Sequence, residues 1–287
     1  MRRLTVLALV LMLSSSGCLG LGDRADKNEE NIDDIIEEDI TNQEKNNTET
    51  LLSEPELIQV PYEKGCDNIN PLHCMLPFPS TAFLREDPNS LTGYRVNYTK
   101  TTIPGSGTFK QVEIPGLNRL DGMSPSTQIL TAFDDNPVLN GVANQSTIEE
   151  SLMSNHSTVL LNLKTGEKLP HWVELDARTD NKGPTILYIR TLRGLEHNTA
   201  YGVGISGLTN ESGNLLSPSS AFQALIDGNY TDALDVELRS NEFNNLFGSL
   251  EQIGYERQNL QAAWKFHTAS TESIIGGMLH MREDALI

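Results

Sequence analysis

The sequence predicts a mainly β fold, an antiparallel β-sandwich with two helices on its C-terminal side and a disordered acidic tether in front. Three observations predict it. Between Thr158 and Leu225, four or five short apolar runs follow one another, each closed by turn residues. Those turn signals recur about every ten residues, the rhythm of an all-β sandwich. After Ser240 the apolar period changes from two to that of a helix.

The chain begins Met1-Arg2-Arg3, followed by an apolar run from Leu4 to Leu13. Ten residues are too few to span a bilayer, and a basic start before a short apolar run reads as a signal peptide. Ser15-Ser16-Gly17-Cys18 resembles a lipobox, with Ser15 where Leu is usual. The resemblance implies cleavage before Cys18 and acylation of its thiol, which would hold the protein to a membrane without a spanning helix. An ordinary signal peptide with an incidental cysteine is the alternative. Residues 1–18 are thus assigned to export.

Residues 19–56 form the tether. They carry 13 Asp and Glu against 3 Lys and Arg, and so hold −10 of the formal net charge of −18. Such a segment buries too little apolar surface to order itself, and its self-repulsion extends it. Ile32, Ile35, Ile36 and Ile40 lie at helical spacing, so a short helix is the competing reading. The charge balance argues against nucleic acid as a partner, because no basic patch is present to displace counterions from phosphates.

Residues 57–157 read as an irregular leading region with edge strands. Cys66 and Cys74 flank seven residues; in an exported chain with Cys18 acylated they pair most simply as one disulfide. A zinc site is the alternative, with His73 nearby, but no further ligand lies close in sequence. Pro71, Pro77 and Pro79 keep this stretch extended. Asp121, Asp134 and Asp135 lie in oxygen-rich loops without the regular acidic spacing of a calcium motif, and read as turn carboxylates.

Residues 158–270 read as the sandwich core. Val159, Leu161 and Leu163 alternate with Thr158, Leu160 and Asn162, a strand with one face buried. Lys164-Thr165-Gly166-Glu167 closes it as a hairpin turn, with Gly at the left-handed position. His171, Val173 and Leu175 alternate with Trp172, Glu174 and Asp176. Residues 180–184 (Asp-Asn-Lys-Gly-Pro) make a turn, and Thr185 to Arg190 reads as a central strand. Tyr201, Val203 and Ile205 alternate with Gly202, Gly204 and Ser206, and a turn at 210–214 leads into Phe222. Phe243, Leu246, Phe247, Leu250 and Ile253 share one face of a helix that Gly254 ends. Leu260, Ala262, Trp264, Phe266 and Thr268 alternate as a last strand. Residues 271–287 read as a second helix capped by Ser270 and leading toward a further domain.

Two resemblances lie in these stretches. Leu192-Arg193-Gly194-Leu195, the run from His197 to Ile205 and the run from Gly207 to Asn214 resemble the Ig-like domains of bacterial cell-surface proteins. Leu76-Pro77-Phe78-Pro79 and the run from Asn118 to Ser126, with Leu120-Asp121-Gly122 at its centre, resemble the N-terminal, non-catalytic domain of secreted bacterial lipases. Together they cover about Cys66 to Leu225. The first implies an Ig-like sandwich and the second a secreted lipase or esterase whose hydrolase domain would lie elsewhere. Ser80-Thr81 departs from the acid or amide often found after the Pro-Phe-Pro segment.

No catalytic constellation is readable. Residues 104–107 (Pro-Gly-Ser-Gly) and 204–207 (Gly-Ile-Ser-Gly) do not complete a nucleophile elbow, and no metalloprotease, phosphate-loop or dinucleotide motif is present. His73, His156, His171, His197, His267 and His280 are scattered singly, and His171 shares a strand face with Val173 and Leu175. Glu174 and Asp176 could serve a glycosidase, although carboxylates at this spacing are common on strand surfaces. Sequons at Asn46, Asn97, Asn144, Asn155, Asn210 and Asn229 are candidate glycosylation sites. The expectation is an extracytoplasmic, lipid-anchored surface protein without a cofactor. It would hold a protein, polymer or lipid ligand as a non-catalytic binding or scaffold module, or else be the front portion of a lipase.

Overall fold

The alternating runs become two three-stranded antiparallel sheets that enclose one core. The computed structural model describes residues 54–103, 112–177 and 184–286, and these belong to one unit that starts at Glu54. Cys18, Asn46, the tether as far as Ser53 and most of the turn at 180–184 lie outside the described residues. The strands are β1 (Leu57–Ile58), β2 (Leu84–Glu86), β3 (Tyr94–Val96), β4 (Ile129–Ala132), β5 (Thr158–Asn162), β6 (His171–Leu175), β7 (Ile186–Thr191), β8 (Ala200–Ser206), β9 (Tyr230–Thr231) and β10 (Leu260–His267). The α-helices are α1 (Ile114–Leu117), α2 (Ser220–Asp227), α3 (Leu234–Leu238), α4 (Ser240–Glu251) and α5 (Gly277–Ala285), the last continuing a π-helical stretch at Glu272–Gly276. The fold is mainly β.

One sheet has the order β4-β7-β6 and the other β10-β8-β5, with every neighbour antiparallel. The strand predicted to be central, around Thr185 to Arg190, is the middle strand β7. Ile129, Val173, Leu187 and Ile189 of the first sheet meet Leu160, Tyr201, Val203, Ile205, Trp264 and Phe266 of the second. Tyr201 stacks on Phe266 with ring centroids 5.5 Å apart, an arrangement that adds to the area both rings bury. β2 and β3 form a separate antiparallel pair, and β1 runs parallel to β9.

The second sheet is covered on its other face as well. Val159, Leu161, Leu260 and Ala263 pack there against Phe222 of α2 and Phe243, Leu246, Phe247 and Leu250 of α4. All five residues of β5 are therefore buried, where the alternation alone predicts one buried face. Gly202 and Gly204 make room for this third layer. A Cβ built on Gly202 would lie 2.6 Å from Leu246 Cδ1, and one on Gly204 3.2 Å from Leu250 Cδ1. The helices are held to the sheet by apolar burial, worth about 25 cal/mol per Å² removed from water.

Four details correct the expected pattern. The turn after β5 forms, with Gly166 at φ +74° and its amide bonded to Asn162 O at 2.8 Å. The chain then leaves for the other sheet: only Leu161 and Lys168 bridge, and β6 pairs with β7. In β10 the register shifts between Leu260 and Ala262, a bulge that moves Leu260 to the helix side while Trp264 and Phe266 stay in the core between the two sheets. The run ending at Leu225 is not a strand beyond Phe222 but helix α2. Ser219 caps it by accepting Phe222 N–H, and Gly228 closes it in the left-handed conformation. The short helix α3 follows where no element was expected.

The terminal helix is fastened by the Leu120-Asp121-Gly122 segment. Asp121 is buried and accepts Ser270 N–H at 3.0 Å, while Ser270 Oγ accepts Ser273 N–H at 3.1 Å as the predicted cap. Met123 N–H donates to His267 O at 2.9 Å, and Ala269 N–H to Met123 O at 2.8 Å. These bonds draw two backbones together at Gly122. A Cβ there would sit 2.6 Å from Ala269 N and 2.7 Å from the carbonyl carbon of Thr268. Backbone cannot rotate aside as a side chain can, so Gly122→Ala should destabilise the fold by about 1–3 kcal/mol or more. Urea unfolding checks this; a midpoint unchanged from the parent would contradict the close approach.

Candidate functional site

A cavity of about 360 Å³ opens where the disulfide loop, the end of β4, the start of α2 and the start of β10 converge. Its volume is within the usual range for small-ligand sites. Pro61, Ile69, Pro71 and Pro77 line one side, Thr131 to Asp134 another, and Ser217 to Ser220 with Phe222 a third. Gln261 to Trp264 complete the wall.

Each wall is positioned by identifiable bonds. Cys66 and Cys74 are joined, as predicted, with Cα atoms 4.4 Å apart. The loop they close is tied down by its own polar residues. Asn70 Nδ2 donates to Ala132 O at 2.9 Å, fixing the loop to β4. Ser219 Oγ donates to Ile69 O at 2.5 Å, so the residue that caps α2 also grips the loop. Asp67 is buried, with its carboxylate facing Arg239 at 2.5 Å and accepting the Ser80 hydroxyl. Asn68 Nδ2 donates to Asp235 Oδ1 of α3 at 2.9 Å. Burial pulls the Arg239 guanidinium down, but Asp67, Asp235 and Glu242 outweigh it and hold its pKa above the ordinary value.

The Pro-Phe-Pro segment supplies another support. Phe78 exchanges two backbone bonds with Leu130 of β4, and Pro79 O accepts the Trp264 indole N–H at 2.9 Å. It thereby links an edge of one sheet to a core residue of the other. Leu76-Pro77 and Phe78-Pro79 are both cis. Trp264 is a core residue, 1% exposed, that also lines the cavity.

The polar groups around the cavity are mostly spent on structure. Gln261 Oε1 accepts Leu208 N–H at 2.8 Å, and its Nε2 donates to Leu208 O at 2.7 Å and Leu216 O at 2.8 Å. Asn70 Oδ1 accepts Leu72 N–H at 3.2 Å. Among the described residues no histidine lines the cavity, and the serine hydroxyls at 217, 219 and 220 have no base beside them in its lining. Among the described residues Asp134 is the one ionisable group lining the cavity; it is exposed and has no bonded partner there. The arrangement is suited to holding a molecule and offers no acid–base pair to act on it.

The other candidate residues are dispersed. His171 is fully buried on β6. Its Nδ1 lies 2.8 Å from Leu169 O and its Nε2 2.8 Å from Thr158 Oγ1. His156 stands edge-on to it with centroids 5.7 Å apart; its Nε2 accepts Ala143 N–H at 2.8 Å. Glu174 is paired with Arg190 at 2.5 Å and accepts the Trp172 indole N–H at 2.8 Å. These bonds hold its carboxyl below the usual range, led by the Trp172 bond, so it serves the surface of the first sheet. Among the described residues no group of three or more His, Cys, Asp or Glu is placed to hold a metal. Nor is any helix long and apolar enough to cross a membrane. Of the sequons, Asn97, Asn144 and Asn155 are exposed. Asn210 is half-buried and donates to Asp135 Oδ2 at 3.1 Å; Asn229, also half-buried, accepts Glu56 N–H at 3.0 Å.

Sequence reasoning found the disulfide but not the cavity it helps to wall. The one local signal was the Ser-Pro-Ser-Ser run at 217–220 before an apolar helical pattern, which marks a capped helix start. No family model matches the chain, and a search of curated proteins finds no match either.

Proposed function

We propose that this chain is a non-catalytic binding module, exported, held at a membrane by lipid on Cys18, and taking its ligand in the cavity beside the Cys66–Cys74 loop. The observation that carries this reading is the cavity itself. It is walled by rigid elements and a cross-linked loop, with apolar lining and no paired acid and base. Binding sites built this way are largely formed before the ligand arrives. The disulfide supports an oxidising, extracytoplasmic setting, and the two facing antiparallel sheets support an Ig-like assignment. Exposed Asn97, Asn144 and Asn155 are the sequons with the freest access for glycosylation.

Ser217 is exposed and lines the cavity, so Ser217→Trp should fill the mouth at little cost to folding. A ligand-observed NMR screen of the exported protein should yield binders that Ser217→Trp no longer retains. Binders indifferent to that substitution, or acyl-ester hydrolysis by the chain itself, would contradict the reading.

A second reading is that the module is the front portion of a secreted lipase or esterase. The Pro-Phe-Pro and Leu120-Asp121-Gly122 segments, which carry that resemblance, both act as fasteners of the fold, a role that suits a non-catalytic domain. Assaying the complete open reading frame on acyl esters tests it. Hydrolysis by a longer product with this chain as an inactive control is the expected result, and an inactive complete product would dismiss it.

A further inference from the structure

We propose that the cavity takes a small organic cation, an amine or quaternary ammonium carried on an apolar body. This rests on the reading of the cavity as a ligand site and adds the chemistry of its occupant. The lining offers prolines and Phe133 to an apolar body, together with hydroxyls at Thr131, Ser217 and Ser220. Charge then decides the class. Among the described residues no Lys, Arg or His lines the cavity, and the single charged lining group is the Asp134 carboxylate. That carboxylate is exposed and has no bonded partner among the described residues, whereas its neighbour Asp135 accepts Asn210 Nδ2–H at 3.1 Å. Asp134 is thus available to pair with an incoming cation. The chain as a whole carries −18, so an anion meets repulsion on approach and a cation meets attraction.

One feature of the wall has the opposite polarity: the first turn of α2, whose N–H groups favour negative charge. Its Phe222 N–H is already taken by Ser219 Oγ and its Gln223 N–H by Ser219 O, which leaves less of that field for a ligand. The two influences predict opposite preferences, so a matched series of ligands separates them.

The series is hexylammonium, hexanol and hexanoate, titrated by NMR into the full chain and into Asp134→Asn. We expect hexylammonium to bind about three- to fivefold more tightly than hexanol, as one partly exposed ion pair allows. Hexanoate should be the weakest, and Asp134→Asn should bring hexylammonium level with hexanol. Raised salt should narrow the gap in the parent. Hexanoate binding best, hexylammonium matching hexanol in the parent, or a cation preference surviving Asp134→Asn would each overturn the proposal while leaving the cavity a ligand site. Failure of all three probes to perturb the cavity would overturn the proposal and the ligand site together.

Discussion

Replacing Arg239 with methionine should cost about 3–5 kcal/mol of stability, the range found when one member of a buried ion pair is removed. The reason is the carboxylate left behind. Asp67 has a side chain that is 0% exposed, against 12% for Arg239. Arg239 approaches it in a fork, Nη2 to Oδ1 at 2.5 Å and Nη1 to Oδ2 at 3.3 Å. Ser80 and Ile69 N–H donate to the same carboxylate, but neither brings a positive charge. Without the guanidinium, a buried anion keeps only neutral donors. The double variant Asp67→Asn, Arg239→Met should recover much of the loss, because the stranded charge is then gone. Urea unfolding of Arg239→Met, Asp67→Asn and the double variant checks this. A single variant within 1 kcal/mol of the parent, roughly the size of a surface pair, would mean that Asp67 is better solvated than the structure shows.

Lowering the pH from 7 to 4 should remove about 3 kcal/mol through His171 alone. Burial pushes its pKa down to about 4, with the neighbouring His156 acting in the same direction and the bond to Leu169 O opposing them. An unfolded chain takes up that proton near pH 6.5, so between 6.5 and 4 it holds more protons than the native protein. Stability from this residue is therefore complete above about pH 6.5, falls as pH drops through the window, and levels off below about 4. The geometry agrees with a neutral ring. The Leu169 carbonyl requires a proton on Nδ1, which leaves Nε2 free to accept the Thr158 hydroxyl. His267 is also held below its ordinary value, chiefly by burial, and adds to the same slope. Denaturant unfolding at pH 7, 5.5 and 4 measures the slope, and His171→Asn should flatten it whatever its stability at pH 7. An equal slope in that variant would remove His171 as the source.

The sequence revealed local periodicity well and long-range assembly poorly. β5, β7, β8, β10 and α4 could be read because their apolar residues repeat within a few positions. The disulfide could be read because, on the expectation of an exported chain with Cys18 acylated, only two cysteines were left to pair. Helix α2 carried a cap at Ser219 and a stop at Gly228, yet Phe222 reads equally well as the end of a strand. The helical layer over β5 follows from Gly202 and Gly204 admitting α4, and an isolated glycine in a strand does not announce which neighbour approaches it. Asp67 carried no signal of its own, because its partner Arg239 lies 172 positions away in sequence. The cavity belongs to the same class of feature. Its walls come from around residues 61–77, 131–134, 217–222 and 261–264, which share no pattern that could be read along the chain.

Chemical-shift mapping of the isotopically labelled full chain with hexylammonium, hexanol and hexanoate in turn tests the binding reading most directly. Perturbations should cluster at Asn70, Phe133, Ser219 and Gln261, and Ser217→Trp should abolish them. Shifts centred elsewhere for every probe, for instance around Arg119 and Ser273 at the terminal helix, or no shifts from any of the three at millimolar concentration, would contradict it.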